Sequence, residues 1–186
     1  MSYLTAARES ARLLECFLGR RSEALTKAVE ACVRALRAGG KILVFGNGGS
    51  AAEAQHFTAE LVNRFQKKRP ALRALALTTD TSILTSVGND SAFHSIFSRQ
   101  IEALGDRGDI ALALSTSGGS PNVIKALAAG RKKGMMTIGL TGRAGGKMDP
   151  LCDYLLDVPS RKTPRIQEVH LVVLHLLAGE IEKAFS

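Results

Sequence analysis

Apolar residues recur along this chain with two different periods. Leu4, Ala7, Ala11, Leu14 and Leu18 form one helical stripe over residues 2–19, and Leu25, Val29, Val33 and Leu36 form another over residues 22–38. Two amphipathic helices are therefore expected, the second ended by Gly39-Gly40. The run Ile42-Leu43-Val44-Phe45 reads as a buried parallel strand. Further strands are expected at residues 73–77, 109–114, 135–140 and 154–158, the last closed by Pro159. Helical segments fill the intervals: one from Ser50, one over 78–87, one capped by Asp90 or Ser91 and reaching Leu104, one over 121–133, and one from Pro164 or Arg165 to Lys183. Gly88-Asn89-Asp90 reads as a turn between two of them. Strands alternating with helices predict an α/β fold, a three-layer sandwich around a five-stranded, mostly parallel sheet, preceded by the two leading helices. Those helices either cover one sheet face or pack on a partner subunit.

Three loops follow strands and open helices, at 46–50, 115–121 and 141–146. In such sheets ligands bind at the carboxyl ends of the strands, where these loops must lie. The first is Gly46-Asn47-Gly48-Gly49, whose glycines allow a tight turn and close approach of backbone N–H groups to a ligand. Ser50 with Glu53 makes a capping-box pattern. The helix then carries His56 and Glu60, four residues apart on one face. They suit metal ligands, an acid/base pair or a surface contact. The second loop, Ser115-Thr116-Ser117-Gly118-Gly119-Ser120, places four hydroxyls ahead of Pro121 at a helix start, an arrangement suited to phosphate. Neither GxxxxGK[ST] nor GxGxxG is present, which argues against a nucleoside-triphosphate loop and a standard dinucleotide site. The last helix carries Gln167, Glu168, His170 and His175. His175 lies in a nearly unbroken apolar run, which predicts its burial.

The 186 residues suit one domain, and 45% apolar with 23% charged residues is a globular balance. A formal charge of +8 favours anionic partners, either nucleic acid or a small phosphorylated ligand. Aromatics are 5% with no Trp, and no recognition-helix motif appears, so no nucleic-acid partner is expected. Cys16, Cys32 and Cys152 form no CxxC pair; Cys16 and Cys32 fall at apolar helical positions and read as buried free thiols of a reducing compartment. Residues 1–20 mix charges throughout, so neither a signal peptide nor a membrane association is expected, and a cytoplasmic location follows.

GNGGS, the helix containing AQHFTAEL, VGND, STSGGS and the terminal RIQEVH with its later His, in that order, resemble the sugar isomerase (SIS) domain, and within it the phosphoheptose isomerase (sedoheptulose-7-phosphate isomerase) family. The similarity runs over almost the whole length. It implies a single SIS domain over 1–186, with 1–38 a helical extension used in oligomerisation. It implies an aldose–ketose isomerase that converts sedoheptulose 7-phosphate to D-glycero-D-manno-heptose 7-phosphate through an enediolate, toward the heptose of bacterial surface lipopolysaccharide. Ser115, Thr116, Ser117 and Ser120 would hold the phosphate, with Ser50 nearby. Asn47, Gly48, Gly49, Asn89 and Asp90 would line the sugar, together with Glu60 and Gln167.

His56, Glu60, Gln167 and His175 match the family's zinc-binding and active-site positions, and Glu60 and His175 would carry the proton transfers. The family's homotetramer, with sites between subunits, is implied too. Gln167 and His175 are eight residues apart, about 12 Å along a helix, which is long for one ion. Pro164 stands where many relatives have an acid, so any contact from that acid is lost. Two non-catalytic readings remain: a relative that binds the replication initiator, and a sugar-phosphate sensor. Neither requires the full set of His56, Glu60, Gln167 and His175.

Overall fold

The computed structural model describes residues 2–143 and 145–186; Met1 and Ala144, the latter in the loop expected after the fourth strand, lie outside them. Five strands form one sheet: β1 (Ile42–Gly46), β2 (Ala74–Ala76), β3 (Ile110–Ser115), β4 (Met136–Thr141) and β5 (Tyr154–Asp157). Their order is β2-β1-β3-β4-β5, and every neighbouring pair is parallel. The expected α/β sandwich is present. Chain direction across the sheet reverses between β1 and β3, so a crevice opens at their carboxyl ends. The loops after these two strands are the glycine turn at 46–49 and the hydroxyl loop at 115–120.

Alternate strand residues face opposite layers, because side chains alternate along a strand. Ile42, Val44, Ile110, Leu112, Leu114, Ile138 and Leu140 pack against α1 (Tyr3–Arg37), α2 (Gly49–Val62) and α6 (Thr163–Lys183). Leu43, Phe45, Ala111 and Ala113 face the other layer, with α4 (Ile96–Leu104) and α5 (Pro121–Lys132); α3 (Thr81–Asp90) adds Leu84 and Val87 at its margin. Both faces are sealed at β1, β3 and β4, which explains why these strands read as unbroken apolar runs, while Leu75 of edge strand β2 stays exposed.

The leading region corrects the expectation of two helices. α1 is one continuous helix, capped by Ser2, whose Oγ accepts the Thr5 N–H at 3.2 Å. Gly19 lies inside it with open space around it. A single internal glycine costs only about 1 kcal/mol, and the ion pair of Arg21 with buried Asp157 (2.5 Å) ties the helix to β5 just beyond that point. The carboxyl half, with Leu25, Ala28, Ala31, Cys32 and Ala35 buried, covers the sheet. The amino half runs on past it along α6, so Cys16 is exposed rather than buried. Cys32 is buried as expected, and burial pushes its thiol up to about 12.

Between β2 and β3 the expected turn at 88–90 is instead the last part of α3, which is capped by Asp80. A short 3-10 turn, Phe93–Ser95, then leads into α4, so Asp90 and Ser91 are not its cap.

Candidate active site

α2 starts one residue earlier than its sequence pattern suggests. Its N-cap is Gly48, at φ 56° and ψ −122°, a conformation that favours glycine. No side chain caps this helix, so Ser50 and Glu53 do not form a capping box. Ser50 is buried, packed against Gly46, where an added Cβ would come within 2.9 Å of the Ser50 Cβ. Glu53 is also buried; its Oε2 has no hydrogen-bond partner, and burial raises its carboxyl to about 7.

The two loops at the crevice are tied by a reciprocal amide pair. Asn47 Nδ2 donates to Asn122 Oδ1 at 2.9 Å, and Asn122 Nδ2 donates to Asn47 Oδ1 at 2.8 Å. Asn122 is buried in the first turn of α5 and was not among the residues expected at the site. Its place directly after Pro121 was the available signal. Ser120 is the N-cap residue of α5, yet its hydroxyl makes no capping bond and pairs with Ser115 Oγ at 3.0 Å. Ser117 Oγ lies 3.4 Å from Ser115 Oγ and accepts the Gly119 N–H. Gly118 turns at φ 61° under the Gly145 carbonyl, where no Cβ would fit. These hydroxyls and a helix N-terminus share one loop, an arrangement suited to a phosphate. Thr116 is half-buried in that loop. Asn89 and Asp90 are exposed at the end of α3, where Asn89 Nδ2 donates to Asp90 Oδ1 at 2.7 Å.

One turn below Glu53, α2 meets α6. His56 Nε2 is 3.0 Å from Glu60 Oε1 and 3.1 Å from His175 Nε2, and His175 Nε2 is 3.4 Å from Glu60 Oε1. Three donor atoms thus form a near-equilateral triangle. A tetrahedral zinc with ligands at 2.0–2.1 Å has edges of roughly 3.3 Å between ligand atoms, so the triangle fits one face of such a site. Glu60 Oε2 is buried and unpartnered, which leaves that carboxylate with coordinating capacity to spare. The side chains of His56 and His175 are 48% and 37% exposed, so the cluster opens to one side. The buried histidine of α6 is His170 rather than His175; His175 turns from the apolar core toward α2. Phe65, which no sequence signal marked, stacks on the His175 ring with centroids 5.7 Å apart and planes at 23°.

Gln167 lies elsewhere. It sits two turns before His175 in the same regular helix, against Gly49. A methyl at Gly49 would overlap Gln167 Nε2 and reach 3.0 Å from its Cδ. Within this chain Gln167 therefore faces the glycine turn, while His56, Glu60 and His175 make the cluster.

Fold and site meet in a known class: residues 6–142 match the SIS domain family. Within that class the chain belongs to the phosphoheptose isomerases. It is 56% identical to the phosphoheptose isomerase of Desulfovibrio desulfuricans over 171 residues, 92% of this chain and 81% of that protein. It is 48% identical to that of Burkholderia pseudomallei over 185 residues, 98% of this chain and 94% of that one. The solved structure of phosphoheptose isomerase GmhA from Neisseria gonorrhoeae superposes with a TM-score of 0.91 at 43% identity, covering 97% of this chain and 96% of that one.

Proposed function

We propose that this protein is the aldose–ketose isomerase that converts sedoheptulose 7-phosphate to D-glycero-D-manno-heptose 7-phosphate, the step that leads toward the heptose of lipopolysaccharide. The observation that carries the catalytic reading is the convergence of Glu60 Oε1, His56 Nε2 and His175 Nε2 where α2 meets α6. Initiator binding and sugar-phosphate sensing need no such cluster.

The phosphate is held by Ser115, Thr116, Ser117 and Ser120 at the start of α5, with Ser50 beneath. Asn47, Gly48, Gly49 and Gln167 line the sugar, and Asn89 and Asp90 contact it from α3. The reaction moves a hydrogen between C1 and C2 and a proton between their oxygens. Glu60 takes and returns the proton at carbon. His175 exchanges the proton at oxygen. Each positioned acid or base contributes roughly 10²–10⁴ in rate. His56, Glu60 and His175 would hold a divalent ion, zinc in our reading, through Glu60 Oε1 and the two Nε2 atoms, leaving Glu60 Oε2 and His175 Nδ1 for the proton transfers, and Gln167 would complete the set if supplied from a second subunit. When bound, the ion supplies positive charge to the developing enediolate oxygen.

A homotetramer with active sites between subunits suits two features. The amino half of α1 leaves Tyr3 and Leu4 exposed, and Gln167 sits two turns from His175 along α6. Free Cys16, Cys32 and Cys152 suit the cytoplasm, where sugar phosphates are made. Among the described residues no helix is long and apolar enough to cross a membrane.

The deciding experiment is turnover of sedoheptulose 7-phosphate by the wild type, Glu60→Gln and His175→Gln, each checked for folding by circular dichroism. Turnover in the wild type and its loss in both folded variants are expected. Sugar-phosphate binding without turnover in zinc-supplied wild type would overturn the catalytic reading.

A further inference from the structure

The segment after α2 is anchored by a buried ion pair that reaches the last turn of α2 on one side and the backbone of Phe65 on the other. Arg69 donates from Nη2 to the Glu60 carbonyl at 2.6 Å and from Nη1 to the Leu61 carbonyl at 2.8 Å. These carbonyls belong to the last turn of α2, where no helical N–H is available to them. A guanidinium there also complements the helix dipole. The Arg69 side chain is fully buried, and its Nε lies 3.5 Å from Glu182 Oε1.

Glu182, on α6, holds the other side of the segment. Its Oε1 accepts the Phe65 N–H, and its Oε2 accepts the N–H groups of Gln66 and Lys67, all at 2.9 Å. Burial alone would raise this carboxyl. The three backbone donors and Arg69 outweigh burial and hold it below the usual range. Three consecutive N–H groups closing on one carboxylate fix the backbone of residues 65–67. The Phe65 ring is thereby laid on His175. His175, Gly179 and Glu182 share one face of α6 at i, i+4 and i+7. At Gly179 an added Cβ would come to 3.4 Å from Phe65 Cε1, so the ring lies directly over this glycine. The His175 imidazole is thus bounded by Phe65 on one side and His56 on the other, the latter at 5.1 Å between centroids.

We propose that Glu182 and Arg69 are positioning residues for the isomerase. Arg69 sets the main chain that carries Glu60, and Glu182 sets His175 through Phe65. None of the three touches the reacting atoms. The proposal rests on the isomerase reading for its kinetic consequences but not for its structural ones. A small displacement of a catalytic group costs turnover more than substrate binding, so the expected signature is a fall in kcat with KM little changed.

The test compares wild type, Phe65→Leu, Phe65→Tyr and Glu182→Gln, each verified as folded. The His175 ring signals are followed by NMR and assigned through His175→Gln. Phe65→Leu is expected to lower kcat about tenfold with KM within about twofold, and Phe65→Tyr, which keeps the ring, to recover most of it. Glu182→Gln is expected to move the His175 ring signals although Glu182 does not touch that ring. If Glu182→Gln fails to fold, the Phe65 pair alone carries the test. Unmoved His175 signals in folded Phe65→Leu or Glu182→Gln, or equal kcat in Phe65→Leu and Phe65→Tyr, would overturn the proposal. Absence of turnover in the wild type would instead remove the isomerase reading and leave the NMR arm to decide the positioning.

Discussion

His56 on α2 and His175 on α6 are 119 residues apart in sequence, and their Nε2 atoms stand 3.1 Å apart. Two imidazole nitrogens at that distance share one proton or converge on one cation. Glu60 Oε1 lies close to both nitrogens, and a carboxylate that completes a triangle of this size favours the cation.

Chelation should therefore lower turnover, and added zinc should restore it. The wild type after dialysis is expected to retain about one divalent ion per chain, measured by elemental analysis. His56→Ala should retain far less while keeping its circular dichroism spectrum. Full turnover by metal-free wild type would sink the metal assignment.

Gly49 leaves the space that Gln167 occupies. Gly49→Ala pushes only against the far end of a flexible side chain, so its cost to the thermal midpoint should be small. Its cost to kcat/KM should be about tenfold or more, because Gln167 is displaced from the glycine turn. The two effects are coupled: in a Gln167→Ala background, Gly49→Ala should cost almost nothing further. Additive losses in this double-mutant cycle would contradict the contact.

His170 makes stability fall in mild acid. Burial lowers its imidazole to about 4, against the partial opposition of a hydrogen bond to the Thr141 carbonyl. Above about pH 6.5 the folded and unfolded chains are both neutral at this residue, and nothing is lost. Between about 6.5 and 4 the unfolded chain takes a proton that the folded chain refuses. From pH 7 to pH 5 this should cost about 2 kcal/mol. Urea titrations of the wild type and His170→Gln at the two pH values should differ by about that amount; identical pH dependence would exclude the effect.

Glu53 acts at the other end of the range. Its folded-state carboxyl is raised to about 7 by burial, so the fold favours the protonated form. That preference helps the fold below the unfolded value near 4.5 and is lost as pH rises through about 7. Glu53→Gln should therefore be more stable than wild type at pH 8, by about 3 kcal/mol, and equal to it at pH 4. Thermal melts at both pH values check this; destabilisation at pH 8 would mean that Glu53 has a partner when charged.

The glycine turn, the hydroxyl loop and the five strands were legible in the sequence because each is a local pattern. An apolar run ended by glycines reads as strand and loop wherever it packs. His56 with Glu60 was legible for the same reason, since four residues on a helix define one face. α1 was less so: a weakened stripe near Gly19 looks like a break, but packing on both sides of it, with Phe17 and Leu25 buried and Arg21 paired with Asp157 on β5, keeps the helix continuous. The apolar run around His175 predicts a burial that falls to His170 instead, because an apolar helix has more than one packed face. His170 took the core, and His175 took the side that meets α2.

Sequence alone thus determined the layers, the strand-end loops and the types of residue available for chemistry, since periodicity and turn residues act over a few positions. Tertiary structure decided which of those residues meet. Gln167 was drawn to Gly49 because only a missing side chain leaves it room. Phe65 was brought to His175 because Glu182, far along the chain, gathers the backbone N–H groups of residues 65–67. Such contacts depend on the distance between helices after packing, a quantity that no local pattern encodes.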